Sequence, residues 1–92
     1  MISAVVLVNT ELGAESEVLE SLLHMKEVEE ASVLYGVYDL VVKVKAQSLD
    51  ELRDIIKLRF SKIMGVASLL TLMLVDPIRL EPILVHKTAN LN

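Results

Sequence analysis

The segment Tyr35-Gly36-Val37-Tyr38-Asp39-Leu40 joins two apolar stretches and gathers much of the chain's polar chemistry into a few positions. A glycine at such a reversal permits φ > 0 and a close approach of another backbone. The Tyr38-Asp39 pair sets one phenol and one carboxylate at the start of the next strand. That carboxylate either serves a binding site or bonds to local backbone while the glycine simply makes the turn. Further along, Ser68 and Thr71 bring hydroxyls to an otherwise aliphatic run that includes Met73. Threonine is common in strands, where it serves structure as readily as recognition.

Other reactive side chains are scattered. His24 and His86 stand alone, without the spacing of metal ligands. Glu27, Glu29 and Glu30 form an acidic cluster that fits a solvated helix exit or strand edge, not a calcium loop. No Ser-His-Asp set or paired catalytic carboxylates stand out, and three glycines are too few for a phosphate cradle. Cysteine is absent, which removes disulfides, thiolate metal sites and a cysteine nucleophile. No cofactor is expected.

The side chains that could do chemistry must be positioned by one small domain of 92 residues, of which 53% are hydrophobic. Ordinary chains run about 45–50% apolar, and the surplus here is aliphatic, since aromatics make up only 3%. Surplus aliphatic surface on a small domain is commonly buried between subunits, so an oligomer is expected. Nine basic residues against thirteen acidic ones give a net charge of −4, which argues against direct nucleic-acid binding. No apolar run approaches the roughly 20 residues of a membrane-spanning helix. A cytoplasmic protein is expected.

Periodicity gives the elements. Residues 2–8 form an aliphatic strand suited to burial on both faces, followed by a loop at 9–13. A helix from Glu15 carries Val18, Leu19, Leu22 and Leu23 as its apolar stripe. Strands are expected at about 30–35 and 38–46, the second with Leu40, Val42, Val44 and Ala46 on one face. Ser48 and Glu51 fit a capping box for a helix bearing Leu49, Leu52, Ile55, Ile56, Phe60 and Ile63, with Gly65 as its stop. Residues 66–75 form a fourth strand, apolar at both parities: Val66, Leu70, Leu72 and Leu74 against Ala67, Leu69, Met73 and Val75. A short strand at 83–86 is possible in a tail spanning 77–92. The order β-α-β-β-α-β is the ferredoxin-like α+β arrangement. Two helices cover one sheet face only, so a two-fold dimer through the other face follows, giving a dimeric α+β barrel.

The Gly36-Val37-Tyr38-Asp39 hairpin and the Met64-Gly65-Val66 junction before a strand carrying Thr71 resemble the amino-acid-sensing RAM domain of Lrp/AsnC-type regulators. Met64 stands where that family typically has proline, and Leu69 where it has the first of two threonines. The resemblance covers residues 1–76 and implies a stand-alone domain without the helix-turn-helix unit. It implies that an amino acid or related metabolite binds between neighbouring dimers. The implied contacts are Tyr35, Gly36, Val37, Tyr38, Asp39, Ser68, Thr71 and Met73, with Asp39 meeting the ammonium group. A homodimer assembling further, to a tetramer of dimers for instance, and mixed oligomers with full-length Lrp/AsnC-type regulators are also implied. An ACT-like module using Gly13, or an architectural subunit without ligand, are the alternatives. An enzyme of the dimeric α+β barrel type is disfavoured by two tyrosines, no tryptophan and histidines only near helix and tail ends.

Overall fold

The computed structural model describes residues 1–73. The expected end of the fourth strand, the domain boundary at 76 and the tail with its short strand lie outside the described residues. Valine-rich β1 (Ile2–Thr10) lies inside the sheet, because it pairs antiparallel on one edge with β3 (Leu40–Ala46) and on the other with β4 (Val66–Met73). With β2 (Val28–Val33) the four-stranded order is β2-β3-β1-β4. The first helix, α1, spans Glu15–Leu23, and the second begins as α2 (Leu49–Asp54).

Register sorts the side chains. Ala4, Val6 and Val8 lie opposite Val44, Val42 and Leu40, and all six are fully buried beneath the helices. Val18 and Leu22 from α1, and Leu52, Ile55 and Phe60 from the second helix, close that core. Burying an aliphatic or aromatic side chain of this kind stabilises by about 1.5–3 kcal/mol. Val5, Leu7, Val41, Leu70 and Leu72 occupy the opposite sheet face.

Several boundaries differ from the sequence expectation, each for a visible reason. β1 continues through Asn9 and Thr10, because these pair with Ser68 and Val66 across a register shift. That shift carries Val66 onto the helix-side core instead of the face of Leu70 and Leu72. β2 starts earlier, as Val28 pairs with Val44, and β3 starts at Leu40 rather than Tyr38. Leu23 and Leu49, both expected in apolar stripes, are more than half exposed at helix ends.

The second helix is not uniform. Ser48 Oγ accepts from the Glu51 amide at 3.1 Å and starts it as expected. From Ile55 to Arg59 it widens into a π-helical turn, then tightens into a 3₁₀ turn at Phe60–Lys62. A regular α-helix would place Leu58 or Arg59 beneath Ile55, whereas the wide turn brings Phe60 there. Phe60 is fully buried and Leu58 is exposed. The same turn aims Arg59 at Glu27, with Nη1 to Oε2 at 2.6 Å. Burial pushes the Glu27 carboxyl up, but its own backbone amide, the Arg59 hydrogen bond and charge, and Lys26 outweigh this. The net result lies below the ordinary 4.5.

Gly65 does more than stop the helix. Its φ is +99°, and a Cβ there would lie 2.9 Å from both Ala14 Cβ and Val18 Cγ2. Gly36, at φ +141°, has nothing within 4 Å of a Cβ among the described residues, so within these it serves backbone conformation without the close approach expected of it. Gly65→Ala should therefore cost roughly 2–3 kcal/mol in urea denaturation, against about 1 kcal/mol for Gly36→Ala. Because the folded Glu27 value is depressed, its contribution is present above pH 4.5 and fades as pH falls through the folded value. Glu27→Gln should flatten the fall in urea midpoint below that pH, and an unchanged slope would refute the assignment.

Candidate functional site

The antiparallel order brings three loops to one end of the sheet: the β1–α1 connection, the β2–β3 hairpin, and the turn entering β4. Asp39 ties two of them together. Its Oδ2 accepts from the Thr10 amide at 2.8 Å and from Thr10 Oγ1 at 3.3 Å. Its own amide donates to the Val8 carbonyl at 2.9 Å, and its carbonyl accepts from the Leu34 amide at 2.8 Å. The local backbone role considered for this carboxylate is thus present. Among the described residues, the second oxygen, Oδ1, has no partner.

A groove of about 410 Å³ lies between the hairpin and the start of α1, lined by Tyr35, Gly36 and Asp39 with Val33, Leu34, Glu15 and Ser16. Among the described residues, the amides of 35–38 donate to no protein acceptor. The groove therefore presents hairpin amides and one free carboxylate oxygen, a pairing suited to a small zwitterion. Tyr35 and Val37 are almost fully exposed, and Tyr38 is half-buried.

The remaining expected contacts do not join this groove within one subunit. Ser68 pairs with Asn9 on the open sheet face, near the hairpin end. Thr71 and Met73 pair with Val6 and Ala4 on the helix side, toward the other end of the sheet, where they line a separate groove against α2. Sequence reasoning missed Glu15 and Ser16 beside the hairpin, and also Leu12 and Met64, which stand almost fully exposed on the two loops flanking it. The signal was available in the element order, since β-α-β-β-α-β places these loops at one end.

The profile of the Lrp/AsnC ligand binding domain matches residues 3–82. The chain belongs to this family. Among solved structures, FFRP-DM1 is similar at 40% identity and a TM-score of 0.79, over 82% of this chain and 100% of that one. The hypothetical protein PHS023 from Pyrococcus horikoshii is similar at 39% identity and a TM-score of 0.77, over 84% of this chain and 93% of that one. AsnC of E. coli shares the fold at 24% identity and a TM-score of 0.78, over 85% of this chain and 54% of its own. No curated protein matches the chain by sequence. This Lrp/AsnC-type domain thus combines the family's ferredoxin-like fold with a hairpin whose acidic residue is anchored by one oxygen.

That anchoring has a measurable consequence. Asp39→Ala removes a charge-assisted acceptor and should lower stability by roughly 1.5–3 kcal/mol in urea denaturation. Asp39→Asn, which keeps an acceptor oxygen, should lose clearly less. A loss below about 0.5 kcal/mol in Asp39→Ala would show that the Thr10 bonds contribute nothing.

Proposed function

We propose that this Lrp/AsnC-type domain is a non-enzymatic regulatory module that senses an amino acid. The observation that carries the reading is Asp39: one oxygen is fixed by Thr10, and the other is unpartnered in a groove beside undonated hairpin amides. A zwitterion's ammonium group meets Oδ1, and its carboxylate meets the amides of 35–38. Ser68 is added from the sheet end. Thr71 and Met73 belong to this site only if a neighbouring subunit supplies them.

Assembly supports the same reading. On the sheet face away from the helices, Leu70 and Leu72 are exposed beside Leu7 and the buried Val5 and Val41, with Lys43 and Lys45 toward β2. A second copy's sheet is the natural cover for the exposed leucines. Leu12, Tyr35, Val37 and Met64 place further apolar surface at the hairpin end, where dimers would meet. A ligand held between dimers favours the larger assembly by its difference in affinity for the two states. The response reaches transcription through mixed oligomers with full-length Lrp/AsnC-type regulators.

A thermal-shift series with the twenty amino acids tests this. At about 100 times its dissociation constant a ligand adds roughly 2.7 kcal/mol, or several degrees for so small a domain. One or a few amino acids should raise Tm, with the response weakened in Asp39→Asn relative to that variant's own baseline. Silence from all twenty would sink the amino-acid reading. Light scattering should independently give a dimer or larger species, and a stable monomer would remove the assembly.

A further inference from the structure

The second groove has chemistry of its own. It runs between β4 and the second helix, encloses about 280 Å³, and is walled by Leu49, Leu52, Ile56 and Met73. Leu49 and Met73 are about half exposed or more at its mouth, at 64% and 47%, although both are large and apolar. Thr71 sits among these hydrocarbon walls, and among the described residues its hydroxyl makes no hydrogen bond. At the rim stand Arg53, in the last turn of α2, and Lys57, in the wide turn that follows. Arg53 gives one nitrogen to Asp50 Oδ1 at 2.7 Å, leaving further guanidinium donors. Lys57 has no ion-pair partner among the described residues. Among the described residues, no carboxylate lines the groove.

We propose that this groove is a second ligand site, which takes an aliphatic monocarboxylate lacking an α-ammonium group: a medium-chain or branched-chain acid, or its 2-oxo form. The hydrocarbon tail lies against Leu49, Leu52, Ile56 and Met73. The carboxylate reaches the Lys57 ammonium and the free side of Arg53, and Thr71 donates to a carboxylate or 2-oxo oxygen. Lys57, unpaired among the described residues, sets the selectivity with the free side of Arg53, because the described lining offers an amino acid's ammonium no carboxylate acceptor. This site differs from the hairpin groove in both place and charge. It stands whether or not that groove binds an amino acid.

The test is methyl-detected NMR on the full chain, titrated with octanoate, with 4-methyl-2-oxopentanoate, and with leucine. Both acids should give saturable shifts at Leu49, Leu52, Ile56 and Met73, and leucine should leave the Leu49, Leu52 and Ile56 methyls unmoved. The Arg53→Gln/Lys57→Gln double variant, changed only on exposed positions, should keep its spectrum elsewhere and bind the acids about tenfold more weakly. Thr71→Val should weaken the 2-oxo acid more than octanoate. Absence of saturable shifts, equal response to leucine, or full affinity in the double variant would overturn the proposal. So would nuclear Overhauser contacts in the free protein between these methyls and residues 78–92, which would show the groove filled by the chain itself.

Discussion

Two helices can cover one face of a four-stranded sheet, and this chain is apolar on both. Most of its organisation follows from that mismatch. β1 pairs along both edges, so alternate side chains project to opposite faces, and aliphatic residues occupy the middle of each. One set, Ala4, Val6 and Val8, disappears beneath Val18, Leu22, Leu52, Ile55 and Phe60. The other, Val5 and Leu7 with Val41 from β3, forms a smaller cluster with Leu34 on the opposite face. Both grooves lie at the sheet's ends and helix flanks, while Lys43 and Lys45 carry charge on the second face beside β2, paired with Glu29.

Loop placement explains why one carboxylate carries so much at the hairpin end. Strand register alone does not fix how a hairpin leans against the strand beyond it. Asp39 supplies that constraint by bonding Thr10, just where β1 shifts register against β4. A single side chain thus joins the hairpin to the strand at the centre of the sheet, while leaving an oxygen for other use. Its structural and recognition roles are carried by different atoms of one group.

Much of the fold was legible because period and burial agree in this chain. Leu40, Val42, Val44 and Ala46 alternate in sequence and are all buried, and the Ser48 cap forms as its motif implied. The missed features depend on packing between distant segments. Nothing local marks the register shift at Asn9 and Thr10 or the face change of Val66, since both are settled by pairing across two strands. Gly65 read as a helix stop, but its closeness to Ala14 and Val18 is a tertiary fact. The hairpin was legible as a candidate site from its residue types. Its separation from Thr71 and Met73 was not, because alternation along β4 gives the face of a residue but not its distance from a loop.

The wide turn at Ile55–Arg59 has a consequence for how the second helix can be edited. It accommodates one residue more than a regular turn would, so the segments on either side are about 100° out of phase with a continuous α-helix. Ile55 and Phe60 share the core because of that offset, while Arg53 before the turn and Lys57 within it share the outer rim. The segment therefore behaves as a short α-helix and a 3₁₀ turn joined by a phase adapter. One half is keyed to the core through Phe60, and the other is free to vary its outward-facing residues without disturbing that key.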